Sequence, residues 1–216
     1  MEYEIILIDD RSTDATAQQI RAYLSGQHKR NIRAYFHGTN LGRGATVAEG
    51  IRRSNSTYVG FIDIDLETPP QFIPAALDAL VSDSADMVLG DRKRCGPLIS
   101  PHRFVMSSVY RWLVRLLLNT DSLDTEADFK FFRRDLILPV LDEVQNSHWF
   151  WDTEITVVAQ AKGLRIYSLP VTYCRDLTKH STVRLCHDSW RSFASLLAIA
   201  KRHRFTRHDV THKTTP

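Results

Sequence analysis

The chain has 216 residues, an apolar share of 43% and a formal net charge of +3, which suits one domain with a substantial core. No apolar run reaches the roughly 18 residues of a membrane span, and the first residues do not read as a signal peptide. The three cysteines, Cys95, Cys174 and Cys186, are odd in number and scattered, so they predict neither a disulfide framework nor a zinc site, and a reducing compartment is the simplest reading.

Residues 4–8 (Glu-Ile-Ile-Leu-Ile) are too apolar for a half-exposed strand and read as a buried parallel one. Asp9-Asp10-Arg11-Ser12-Thr13-Asp14 follows, then a helix to about Gly26, a strand over 32–36, a turn at 40–44 and a helix over 45–53. The strand 58–62 runs into Asp63, Asp65 and Glu67 and is stopped by Pro69-Pro70. A helix over 71–82 precedes a strand at 87–89. This alternation predicts an α/β domain with a mostly parallel sheet, whose ligands collect at the carboxyl ends of the strands, where Asp9, Asp10, Asp63 and Asp65 all fall. Further on, a helix is expected over 104–118, a strand over 129–132, helices over 136–144 and 153–161, and a strand over 165–173 interrupted at Pro170. Residues 187–202 predict an amphipathic helix with Trp190, Phe193, Ala194 and Leu197 on one stripe. From Arg175 onward nine Lys or Arg face three Asp, a basic tail that could meet anionic lipid or stay solvated; no nucleic-acid motif accompanies it.

Asp63, Asp65 and Glu67 occupy alternate positions where strand gives way to turn, so they could converge on one hard cation, Mg²⁺ or Mn²⁺, bridged to a diphosphate. Asp10 could hold a base or ribose; its competing role, capping the next helix, is open equally to Ser12, Thr13 or Asp14. Gly42-Arg43-Gly44 precedes a helix whose N-terminus favours anions, with Arg43 supplying charge, although a plain tight turn gives the same residues. Arg92, Lys93, Arg94 and Arg103 could grip a phosphorylated acceptor or form a solvated loop. Trp149-Phe150-Trp151-Asp152-Thr153-Glu154 sets two acids beside three aromatics at a helix start, where either acid could serve the site or the helix dipole.

In this order the segments 3–14, 40–44, 63–67, 90–92, 124–133 and 149–154, continuing through Gly163-Leu164-Arg165-Ile166 and Pro170-Val171, resemble the inverting family 2 glycosyltransferases. The similarity is greatest to the branch of dolichyl-phosphate glucosyltransferases and mannose synthases. It implies a GT-A fold and transfer of a hexose from a nucleotide sugar (UDP-glucose or GDP-mannose type) to polyprenyl or dolichyl phosphate. Asp10, Arg43 and Asp63 would then serve the nucleotide sugar, Asp65 and Glu67 the metal, and Arg92 and Arg103 the acceptor phosphate, with Asp152 and Glu154 as the catalytic acids, orienting the sugar or, for a hydroxyl acceptor, supplying a base. The resemblance further implies that the chain begins at the family's second strand, so the fold is expected to be N-terminally truncated. Arg11 and Asp128 stand where the family usually has glycine, and Asp91 where it has serine. The expected layout is a GT-A domain over 1–186, the amphipathic helix over 187–204 and a disordered basic tail over 205–216. The expected location is the cytoplasmic face of a membrane, reached through that helix or a membrane subunit. Two other readings compete: a non-catalytic or fragmentary remnant of the family, and a phospho-receiver domain, whose paired aspartates Asp9, Asp10 and Asp63 imitate.

Overall fold

The computed structural model describes residues 2–26, 31–95, 112–115, 117–118, 123–174 and 195–202. The chain divides into two compact units, one of Met1–Pro97 with Leu123–Thr182 and one of Leu98–Ser122 with Val183–Pro216.

In the first unit, β1 (Ile5–Asp9) passes through α1 (Thr16–Ser25) to β2 (Ile32–Phe36), and the two strands pair in parallel with Asp9 opposite Phe36. There follow α2 (Arg43–Arg53), β3 (Tyr58–Phe61), a 3₁₀ turn (Pro70–Phe72), α3 (Ile73–Val81), β4 (Met87–Cys95), β5 (Lys130–Arg133), α4 (Arg134–Leu141), α5 (Trp151–Ala161) and β6 (Ile166–Cys174). The larger sheet has the order β3-β5-β4-β6. β5 is antiparallel to β3 and β4, while β4 and β6 are parallel. Strands β3, β4 and β6 therefore point one way and β5 alone is reversed, in keeping with the expected mostly parallel α/β sheet.

Alternation from Phe129 through β5 divides the side chains between the two faces of the sheet. Phe129 and Phe131 join Ala76 and Leu80 of α3 in one core cluster with Val88, Leu169 and Val171. Lys130 and Phe132 point to the other face, where the Phe61 ring lies 6.4 Å from Phe132 and 5.8 Å from Trp151 of α5. Trp151 through Ala159 are all buried, so the sheet is covered on both sides.

The structure departs from the sequence expectations in several places. β1 is parallel as expected but not buried: Ile5 is exposed, Ile6, Leu7 and Ile8 are half-buried, and only Asp9 is enclosed. β4 continues to Cys95, so Arg92, Lys93 and Arg94 belong to a strand in register with β6 rather than to a loop. Pro170 does not interrupt β6; it lies opposite Asp91 on an edge strand, where a missing N–H can face outward without breaking the ladder. That register also sets Cys95 opposite Cys174, with Cα atoms 5.2 Å apart and the sulfurs joined as a disulfide. Cys95 and Cys174 are thus paired, against the expectation that the cysteines form no disulfide framework, because a cross-strand neighbour 79 residues away leaves no trace in local spacing; Cys186 lies outside the described residues.

In the second unit, residues 112–115, 117–118 and 195–202 are helical. Leu196 and Ile199 are buried whereas Leu197 is 40% exposed, so the buried stripe runs through neighbours of the residue expected to carry it. Trp190, Phe193, Ala194, most of the helix expected over 104–118 and the tail 205–216 lie outside the described residues. Among the described residues, no helix is long and apolar enough to cross a membrane.

Candidate active site

β1 ends at Asp9, whose Oδ2 accepts the Ser12 N–H at 3.2 Å. The helix that follows is served by Asp14, whose carboxylate accepts the Thr16 N–H at 2.9 Å. Asp10 is thus spared from capping α1 and instead organises the loop before α2. Its Oδ1 accepts the Leu41 N–H at 2.8 Å and its Oδ2 the Gly42 N–H at 2.9 Å, while Asn40 donates to its carbonyl at 3.0 Å. Gly42 has φ of 97° and so needs to be glycine, and a side chain on Gly44 would collide with Trp151. Expected as a seat for a ligand anion, these amides before α2 already hold the Asp10 carboxylate. Burial alone would raise the Asp10 carboxyl pKa, but hydrogen bonds from His37, Leu41 and Gly42 outweigh it and hold the group below its usual range.

Arg43, the first residue of α2, is the centre of the charged site. Its guanidinium donates to Asp63 Oδ1 at 2.7 and 3.2 Å and to Asp152 Oδ2, and lies 5.6 Å from the Trp149 ring centre. Asp152 in turn accepts from Lys130, a fully buried lysine that also donates to the carbonyls of Thr125 and Ala127. Burial, joined by repulsion from Asp128 and Asp152, pushes the Asp63 pKa up despite Arg43. Burial likewise lowers that of Lys130 against the pull of Asp152. Three sequence-predicted residues, Arg43, Asp63 and Asp152, thus meet from three segments. Lys130 is not among the residues expected to act; its signal is a lysine set among Phe129, Phe131 and Phe132.

The expected convergence of Asp63, Asp65 and Glu67 is not formed. A turn closes with Leu66 N–H on the Asp63 carbonyl at 3.1 Å, and Leu66 sits at φ 55°, so the period of two ends with β3 and the carboxylates part. Asp63 goes to Arg43, Asp65 is exposed and accepts the Glu67 N–H at 3.2 Å, and Glu67 accepts the Tyr173 hydroxyl. Among the described residues no three His, Cys, Asp or Glu are grouped to hold a metal. Burial and then the bond to Glu67 raise the Tyr173 pKa. Glu154, expected beside the sugar, braces the loop before α5 by accepting the Asn146 N–H and Nδ2 at 2.8 and 2.6 Å.

Arg92 forms a fork with Asp124, at 2.7 and 2.8 Å, and stacks 5.3 Å from the Tyr173 ring centre. Although burial opposes its charge, Asp124, Glu126 and Asp128 raise its pKa. Asp128 is buried and accepts from Thr68 at 3.1 Å. Arg103, the other expected acceptor arginine, lies outside the described residues.

Comparison with known proteins agrees with this architecture. The family description "Glycosyl transferase family 2" matches residues 1–139. Glycosyltransferase AglD of Haloferax volcanii is 31% identical over 79% of this chain and 27% of its own length. The dolichyl-phosphate beta-glucosyltransferase of Dictyostelium discoideum is 28% identical over 92% of this chain and 65% of its own length. The Saccharomyces cerevisiae protein of the same name is 25% identical over 79% of this chain and 57% of its own. The chain therefore spans less than two thirds of the length of each of these relatives. Among solved structures, glucosyl-3-phosphoglycerate synthase from Mycobacterium tuberculosis, in complex with Mn²⁺ and UDP-glucose, superposes with a TM-score of 0.67 at 18% identity. The superposition covers 91% of this chain and 67% of that one, a likeness of GT-A fold. A family match that runs from β1 through β5 and takes in Asp10, Arg43, Asp63, Asp65 and Arg92 makes this chain a member of glycosyl transferase family 2.

Proposed function

We propose that the chain is a hexosyltransferase acting, with inversion, from a nucleotide sugar of the UDP-glucose or GDP-mannose type onto a polyprenyl phosphate such as dolichyl phosphate. The observation that carries this reading is the double grip of Arg43 on Asp63 and Asp152, which unites the start of α2, the segment after β3 and the first turn of α5 in one charged site. The names of the Dictyostelium and yeast relatives support the acceptor, and the Mn²⁺ and UDP-glucose of the mycobacterial neighbour support the donor and a divalent ion.

Asp10 shapes the loop that would cover the nucleotide, and Arg43 stands beside the diphosphate. The carboxylates after β3, above all the exposed Asp65, offer the hard oxygen donors that a divalent cation takes. Asp65, exposed in its turn, would hold Mg²⁺ or Mn²⁺ with Glu67 nearby in sequence, and the ion's charge would offset that of the departing nucleoside diphosphate. Asp152, fixed by Arg43 and Lys130, orients the sugar. Arg92 would receive the acceptor phosphate in exchange for Asp124, and the resemblance gives Arg103 the same role. A phosphate is already ionised near neutral pH, so its oxygen attacks without a strong general base. The lipid acceptor would bring the protein to a membrane, which we take to be its cytoplasmic face, through the basic region after residue 187 or a membrane subunit.

The Arg92–Asp124 fork favours a second reading, a non-catalytic family member, because the acceptor must displace Asp124. Membership of the family removes the phospho-receiver reading. Calorimetry with UDP-glucose and GDP-mannose, with and without Mn²⁺, separates the remaining two. Metal-dependent binding that Asp65→Ala abolishes, followed by transfer to dolichyl phosphate, is the expected result. A folded protein that binds neither donor would refute the enzyme.

A further inference from the structure

His37 follows β2 and is half-buried, its side chain 8% exposed. Its Nδ1 lies 2.7 Å from Asp10 Oδ1 and its Nε2 lies 2.9 Å from Glu49 Oε2 of α2. Both partners are carboxylates, which only accept when ionised, so each ring nitrogen must donate. A neutral imidazole has a single N–H and can satisfy one of the two; the other nitrogen would set a lone pair against a carboxylate. The arrangement is complete only with the imidazolium.

What this cation holds is the loop before α2. The Asp10 oxygen that faces His37 also accepts the Leu41 N–H, and the second oxygen accepts Gly42 N–H, immediately before Arg43. Glu49, on the far side, is shared with Arg53, which donates to it at 2.6 Å and stacks 4.0 Å from the Tyr35 ring centre. The His37 backbone N–H bonds to the Asp9 carbonyl at 2.9 Å. Among the described residues, the charged and titratable groups bonded to His37 or to its partners are Asp9 and Asp10 from β1 and its end and Glu49 and Arg53 from α2, with Tyr35 of β2 under Arg53.

We propose that protonated His37 is a positioning residue for the donor: by bridging Asp10 to Glu49 it fixes the loop 40–42 and the start of α2 in the shape the nucleotide sugar meets. The bridge rests on the nucleotide-sugar reading of this site. The hydrogen bond to Asp10 is the largest influence on the ring and raises its pKa; burial opposes it and Glu49 adds to the rise. The bridge is therefore full near and below the ordinary histidine pKa and is lost as pH rises through the raised value.

Two measurements test it. Donor titration by calorimetry from pH 6 to 9 should show affinity for UDP-glucose or GDP-mannose falling on the order of tenfold across the upper half of the range. In His37→Gln binding should be weaker and flat with pH, and in Glu49→Gln the break should move to lower pH. The second measurement needs no donor: the His37 ring and the Leu41 and Gly42 amide resonances, followed by NMR, should titrate together, and those amides should shift in folded His37→Gln. Donor binding that is equally tight at all pH values overturns the proposal, as do Leu41 and Gly42 amides indifferent to His37. Coupled amide titration without donor binding at any pH upholds the bridge and refutes the donor reading instead.

Discussion

Arg11 and Asp128 both stand where the family usually has glycine, yet the backbone treats them differently. Arg11 sits at φ 61°, in the left-handed region, whereas Asp128 has no positive φ. The first substitution is thus conformational and the second a matter of charge. The left-handed conformation costs a non-glycine residue about 1–2 kcal/mol, more than the roughly 0.5–1 kcal/mol that glycine gives up in backbone freedom. Arg11→Gly should therefore stabilise the protein by roughly 0.5–1 kcal/mol, read as a higher midpoint in urea or thermal melts. An unchanged or lower midpoint would mean that the Arg11 side chain supplies more than its backbone costs. His37 shows the opposite case: no local feature marks it, because its meaning comes from Asp10 and Glu49, brought to it from other segments.

Between elements, Lys130 acts as a bolt. It leaves β5 on the face that meets α5 and binds Asp152 in the first turn of that helix, together with the carbonyls of Thr125 and Ala127. Removing one member of a buried ion pair strands the other. Asp152 keeps Arg43, so Lys130→Met should cost about 3 kcal/mol, at the low end for such losses, measured by chemical denaturation. A near-neutral change would show that the methionine packs as well as the ion pair binds. The element pattern itself was largely legible: the apolar runs over 4–8 and 58–62, the Pro69-Pro70 stop and the helix over 45–53 all depend on local periodicity. Pairing was not. The Cys95–Cys174 bond and the tolerance of Pro170 follow from β4–β6 register across 79 residues. The parting of Asp63, Asp65 and Glu67 follows from a left-handed Leu66, a conformation that leucine rarely adopts and its sequence does not announce.

Across the molecule, several carboxylates that tie distant segments are held below their usual pKa. Glu4, where burial is outweighed by bonds from Asn55 and Arg33, links the entry of β1 to β2 and to the loop after α2. Glu49, where burial is outweighed by Arg53 and His37, links α2 to His37. Asp86, bonded to Arg165, joins the start of β4 to that of β6, and Asp10 joins β1 to α2. A depressed carboxylate stabilises the fold above its unfolded pKa and loses that contribution as pH falls through the folded value. Asp63 runs the other way, since burial favours its protonated form and its contribution is lost as pH rises through its raised value. It is one group against several, so the acid side should be governed by the depressed set. His37 adds an alkaline shoulder, present below about pH 6.5 and lost as pH rises through its raised folded value. Urea melts from pH 3 to 9 should therefore show a plateau with a fall on each side. His37→Gln should erase the alkaline fall while leaving most of the acid one. If the variant keeps both falls, the imidazolium contributes nothing to the fold, and the charge between Asp10 and Glu49 is balanced by Arg53 alone.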